Sequence, residues 1–120
     1  MSQTVVPMIH VEDVRATAKW YTSIGFQLVR QNEEDGDVNW AKLSFGNSEV
    51  MLDAGGKQSE DRRREVDLYI TTENIAELFE QLKGKVQIIE DLHDTFYGMR
   101  EFIIRDINGF WITFGQPSKS

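Results

Sequence analysis

The sequence predicts an α+β fold: two tandem βαβββ modules form a curved mixed sheet around a cavity, with helices on its convex face. Three observations carry that prediction. First, the second half repeats the first at a spacing of 61 positions: Val14, Ala18 and Tyr21 map onto Ile75, Phe79 and Leu82, and Asp13 maps onto Asn74. Second, the same offset carries Leu43 onto Ile104 and Met51 onto Ile112, so strands repeat as well as helices. Third, the chain has 120 residues, and each copy alone is too short to bury a good core. Duplicated units of this kind share a cavity, which is where function is expected to sit. The expected organisation is one domain over 1–120, with module one at 4–54, a linker at 55–64 and module two at 65–116.

Each element follows from local chemistry. Thr4 to Val11 is β-rich and reads as a strand. Asp13 offers a carboxylate to the free N–H groups of a helix that ends near Gly25. Phe26 to Gln31 and Val38 to Phe45 read as strands joined by Glu34-Asp35-Gly36-Asp37, in which Asp-Gly suits a tight hairpin. Gly46-Asn47 turns the chain into a strand over Glu49 to Asp53. The second module opens with a strand over Val66 to Thr71. Asn74-Ile75-Ala76-Glu77 then predicts a capping box, with Glu77 reaching back to the cap. The helix ends near Lys83-Gly84, a strand spans Val86 to Glu90, and Asp91 to Gly98 reads as a long loop holding a solvent-exposed His93. Arg100 to Arg105 and Phe110 to Gly115 form a hairpin around Asp106-Ile107-Asn108-Gly109.

Alternation along the strands separates two faces. One holds Ile9, Val11, Ala41, Leu43, Phe45, Met51, Leu68, Ile70, Phe102, Ile104, Phe110, Ile112 and Phe114, and suits burial beneath amphipathic helices. The other includes Val6, Met8, His10, Trp40, Lys42, Val50, Leu52, Asp67, Tyr69, Thr71, Glu101, Ile103, Arg105, Trp111 and Thr113. Aromatics mixed with charges there suit the lining of a ligand cavity.

Composition removes several function classes. With no cysteine, disulfides, thiolate zinc sites and cysteine nucleophiles are excluded. The net charge of −7 argues against a nucleic-acid partner, and Arg62-Arg63-Arg64 beside Gly55-Gly56 reads as a solvated linker. No apolar run is long enough to span a bilayer, and the N-terminus lacks a basic-then-apolar signal, so a cytoplasmic protein without membrane contact is expected. Gly55-Gly56 lacks the Lys-Ser/Thr end of a phosphate loop. Ser23, Ser44, Ser48 and Ser59 lack the context of an activated nucleophile.

Ile9-His10-Val11-Glu12-Asp13, Trp20-Tyr21, Gly25-Phe26 and the late run from Tyr97 to Gly109, on paired βαβββ copies, resemble the vicinal oxygen chelate superfamily. It includes glyoxalase I, extradiol dioxygenases, fosfomycin-modifying enzymes and bleomycin-resistance proteins, and the late run is most similar to the bleomycin-resistance and glyoxalase-like branch. The resemblance implies metal ligands on the first and last strand of each copy, at Val6, Leu52, Asp67 and Thr113. Of these only Asp67 is a suitable donor, so neither a metal nor another cofactor is expected. A shifted site built from His10, Asp67 and Glu101 is the alternative.

The resulting expectation is a metal-independent protein that holds a small, cationic aromatic ligand, as bleomycin-resistance proteins do. Its ligand-binding residues are expected to be Met8, His10, Trp40, Leu52, Asp67, Tyr69, Tyr97, Glu101, Trp111 and Thr113. Trp40, Tyr69, Tyr97 and Trp111 would stack on the ligand, and Asp67 and Glu101 would attract its charge. The structural alternative for those two acids is pairing with Arg105 or Lys42. The competing reading is a glyoxalase-like lyase or related enzyme with a non-standard metal site; a third is a partner-binding module. A homodimer is implied under each, and Pro7 resembles the hinge at which some family members exchange a strand.

Overall fold

The computed structural model describes residues 4–56 and 64–118. The chain divides into two compact units, 1–58 and 59–120. In the first, β1 (Met8–Val11), α1 (Val14–Ser23), β2 (Gln27–Glu34), β3 (Asp37–Phe45) and β4 (Ser48–Ala54) follow in order. In the second, β5 (Leu68–Thr71), α2 (Ile75–Leu82), β6 (Gln87–Asp94), β7 (Met99–Arg105) and β8 (Trp111–Pro117) repeat that order. Each unit holds its own mixed four-stranded sheet, ordered β1-β4-β3-β2 and β5-β8-β7-β6. The first and last strands of a unit pair in parallel, and the others pair antiparallel. No helix among the described residues is long and apolar enough to cross a membrane.

The helices form where the repeat places them, but they start differently. Asp13 Oδ1 accepts a 2.9 Å hydrogen bond from the Ala16 N–H, so α1 has its side-chain cap. Val14, Ala18 and Tyr21 are buried on one stripe, as the i, i+4, i+7 spacing requires. Asn74 instead takes a left-handed conformation with φ 56° and makes no side-chain cap, so the expected capping box does not form. The α2 N-terminus is satisfied from the sheet: Ile75 N–H donates to Gln116 Oε1 at 2.8 Å. Asp13→Ala and Gln116→Ala are therefore each expected to cost about 1 kcal/mol in urea unfolding. Asn74→Asp should bring no comparable gain.

The turns set the registers. Asp35 and Gly36 both have positive φ, 53° and 85°, and join β2 to β3 as the two-residue hairpin that Asp-Gly predicts. Between β3 and β4 the loop is again two residues, with Phe45 opposite Ser48. Between β7 and β8 the Asp106–Phe110 pair encloses three residues, Ile107 to Gly109, one more than Phe45 and Ser48 enclose. Asp106 N–H donates to Phe110 O at 2.8 Å, and Asp106 Oδ1 accepts from the N–H groups of Asn108 and Phe110, both at 2.8 Å. Past this turn the repeat offset becomes 62, so Val50 matches Ile112 and Leu52 matches Phe114.

That single residue corrects the face assignment of β4. Val50 and Leu52 are buried against α1, at 4% and 0% exposure, and Met51 and Asp53 point to the opposite, open face. The remaining core is as expected: Val11, Leu43, Phe102, Ile104, Ile112 and Phe114 are inaccessible. Three further boundaries differ. β1 begins at Met8, after Pro7, which lacks an N–H to pair. β6 extends to Asp94, clamped across the hairpin by Arg100 Nε at 2.9 Å, so His93 lies in a strand. Arg64 is no solvated linker residue: its guanidinium lies 4.5 Å from the Phe110 ring and donates to Asn108 O. Arg62 and Arg63 lie outside the described residues.

Candidate functional site

In the second unit, register builds a site on the sheet face turned away from α2. β7 places Glu101 directly opposite Gly115 of β8, and β8 places Thr113 beside Tyr69 of β5. Glu101 is only 4% exposed, an unfavourable place for a carboxylate without partners. Two phenols supply them. Tyr69 O–H donates to Glu101 Oε2 at 2.6 Å, and Tyr97 O–H donates to Oε1 at 2.7 Å. The partners of Glu101 are thus tyrosines, not the cations Arg105 or Lys42 considered from sequence.

Gly115 makes this arrangement fit. A Cβ there would overlap the Tyr69 hydroxyl, so the phenol occupies the space that any other side chain would fill. Tyr97 arrives from the other side, on the β6–β7 turn. There the Thr95 N–H donates to Met99 O at 2.7 Å, the Met99 N–H returns to Thr95 Oγ1 at 3.0 Å, and Gly98 adopts φ 85°. Phe96, on the same turn, is 99% exposed and meets the Tyr97 ring edge-on at 5.1 Å.

The electrostatics follow from these contacts. The Tyr69 phenol is pushed up to about 12, first by burial of its hydroxyl end, then by its hydrogen bond to Glu101 and the Glu101 charge. Tyr69 as a whole remains 51% exposed, although its hydroxyl is held on the buried Glu101. The Tyr97 phenol is also raised, chiefly by its hydrogen bond to Glu101. Both stay protonated at neutral pH, so each keeps the hydroxyl proton that it donates to Glu101.

The ordinary tyrosine value is 10.0, so a raised Tyr69 contributes stability below pH 10 that is lost as pH climbs towards about 12. Absorbance titration near 295 nm should show Tyr69 ionising late, and Gly115→Ala should bring that ionisation down by pushing the hydroxyl off Glu101. An unchanged titration in Gly115→Ala would contradict the slot assigned to this glycine.

The other expected site residues divide between the units. Trp111 and Thr113 share the face of Tyr69 and Glu101, Trp111 opposite Arg105 and Thr113 opposite Ile103. Asp67 is exposed and precedes β5. In the first unit, Met8 and His10 lie on the open face beside Met51 and Asp53, and Trp40 lies opposite Asp53. His10 Nδ1 sits 3.3 Å from Ala54 O and 3.8 Å from Asp53 Oδ2. The Trp40 ring already carries a cation, the Arg30 guanidinium at 5.8 Å. Leu52 is corrected: it is buried core beneath α1 and does not line this face. His93, expected in a loop, stands opposite Glu101 with Nε2 3.6 Å from Glu90 Oε1.

Sequence reasoning missed Gly115, Met51 and Asp53. The only sequence signal for Gly115 is a glycine inside an apolar strand, which marks close approach of another group. A depression of about 530 Å³ also opens at the start of α1, lined by Glu12, Asp13, Arg15, Asp37 and neighbours. Its Asp13 carboxylate already caps the helix.

The chemistry of the implied metal positions is read directly from these faces. With the offset of 62, the residue matching Thr113 is Met51, so the positions carry valine, a thioether, one carboxylate and one hydroxyl. That set does not fit a divalent metal, which requires several converging nitrogen or oxygen donors. Within either unit, no three described His, Asp or Glu side chains converge.

Comparison with known proteins agrees with this architecture. The family model described as "Glyoxalase/Bleomycin resistance protein/Dioxygenase superfamily" matches residues 4–114. No curated protein sequence matches significantly. Among solved structures, TioX from Micromonospora sp. ML1 is 20% identical with a TM-score of 0.78, over 97% of this chain and 99% of that one. A glyoxalase/bleomycin resistance protein/dioxygenase from Alicyclobacillus acidocaldarius is 16% identical with a TM-score of 0.78, over 98% and 92%. A bleomycin-binding protein complexed with bleomycin is 17% identical with a TM-score of 0.77, over 98% and 100%. At these identities the likeness is one of fold.

Proposed function

The chain belongs to the glyoxalase/bleomycin resistance protein/dioxygenase superfamily, and from that membership we propose that it binds a small organic cation, without a metal, on the open face of its second unit. One observation carries the reading: a buried carboxylate, Glu101, is held by two half-exposed tyrosines. Negative charge beneath aromatic surface attracts a cation that also carries apolar bulk. Trp111 extends that surface along β8. The structural neighbour complexed with bleomycin supports small-molecule binding on this fold. Assembly as a homodimer belongs to the same proposal, and sedimentation equilibrium tests it separately.

The second reading, a glyoxalase-like lyase, draws on family membership. It requires a metal to polarise the substrate, and the donor set at the implied positions counts against it. In the shifted alternative, both Glu101 oxygens are already engaged by phenols. A thermal-shift series separates the readings, because a ligand of the native state raises the unfolding midpoint by mass action. Cationic aromatic compounds, bleomycin among them, are expected to raise it in the presence of EDTA. A rise with Zn²⁺, Ni²⁺, Mn²⁺ or Fe²⁺ that Asp67→Ala abolishes, with none from organic cations, would overturn the proposal in favour of the enzyme.

A further inference from the structure

We propose that the Tyr69–Glu101–Tyr97 cluster selects cations that carry no N–H donors, quaternary ammonium groups above all, over primary ammonium groups. This rests on the reading of that face as a cation site and adds the class of cation.

The selectivity follows from what the carboxylate leaves available. Glu101 is 4% exposed, and each of its oxygens already accepts a phenolic proton, at 2.6 and 2.7 Å. A group arriving from solvent therefore meets the two half-exposed tyrosines before it meets the carboxylate. A primary ammonium is compact and strongly hydrated. To settle here it must, at a cost, shed water from its three donors in exchange for at most the two phenol oxygens, because the Glu101 oxygens are buried and shared with the phenols. Displacing a phenol would give up one of the two hydrogen bonds that hold the buried carboxylate.

A trimethylammonium group avoids both costs. It has no donors to satisfy, it is weakly hydrated, and its methyl groups make apolar contact with ring faces while its charge is attracted by the ring quadrupole and the carboxylate behind. Donation of both phenolic protons to a carboxylate pushes electron density back into the rings, which deepens that attraction. The raised phenols keep the arrangement intact across the physiological range. Phe96 adds an exposed ring at the rim, edge-on to Tyr97. The first unit lacks these features: the side chain of Asp53 is 36% exposed and open to N–H donors, so it would not discriminate.

Choline, ethanolamine and 3,3-dimethylbutan-1-ol share one scaffold and differ in the group tested: quaternary ammonium, primary ammonium and neutral isostere. NMR titration of the chelator-treated protein should give choline at least tenfold tighter than either of the others. Ethanolamine binding as tightly as choline would overturn the selectivity but leave the cation site standing. Dimethylbutanol binding as tightly as choline would overturn both. Failure of choline to bind, where a cationic aromatic compound still raises the midpoint, would overturn the selectivity alone.

Tyr97→Leu, at an exposed position, keeps apolar bulk and removes the π face. It should cut the preference of choline over dimethylbutanol several-fold. An unchanged preference would mean that the tyrosine acts only as apolar surface, and the proposal would fall.

Discussion

Ile112→Ala is expected to lower unfolding free energy by about 2–5 kcal/mol, whereas Trp111→Ala, one residue earlier, costs a small part of that and acts on ligand affinity instead. Both lie on β8, but successive side chains of a strand point to opposite faces. Ile112 is fully buried opposite Ile104 and beside Leu68, in the layer that packs beneath α2. Its truncation leaves a cavity in close-packed surroundings that collapse only partly. Trp111 is half-buried on the open face opposite Arg105. Urea unfolding of both variants checks the pair. Equal destabilisation would contradict the separation of core from binding face.

The second large effect is on binding. Glu101→Gln removes the charge but keeps a carbonyl oxygen for one of the two phenols, so the fold should survive. A cation seated on the tyrosine faces lies on the order of 6 Å from the carboxylate. At an effective dielectric of about 20 that attraction amounts to roughly 2–3 kcal/mol, or about a hundredfold in affinity. Solvent at the half-open rings reduces it, so a loss of at least about tenfold is expected by isothermal titration with benzyltrimethylammonium. A loss smaller than twofold would mean that Glu101 is only a structural anchor for the tyrosines.

Much of the fold was legible because its causes are local. The i, i+4, i+7 stripe of Val14, Ala18 and Tyr21 needs no tertiary context to specify a helix face. Asp35-Gly36 carries its own turn chemistry. The errors arose where distant residues decide. A repeat offset carried past the β7–β8 loop put Leu52 on the wrong face, since one extra residue, held by Asp106, reverses the alternation beyond it. The α2 cap comes from Gln116, 41 positions away, and no local pattern announces it.

The site shows the same division. Strand alternation singles out Tyr69, Glu101, Trp111 and Thr113, and aromatic chemistry alone singles out Tyr97; the structure places the first four on one sheet face, with Tyr97 reaching Glu101 from the adjoining turn. What joins the first two is register: Glu101 stands opposite a glycine whose missing side chain admits the Tyr69 hydroxyl. A buried carboxylate paired with phenols instead of cations is a consequence of three strands and a turn meeting, and the sequence lists its parts without their spacing.

The most direct test is a titration of metal-free protein with benzyltrimethylammonium, followed by the aromatic NMR signals of Tyr69 and Tyr97. The account predicts that these two rings shift together and saturate in the presence of EDTA, while the buried Tyr21 does not respond. Binding that leaves both rings unmoved, or that vanishes when EDTA is added, would contradict it.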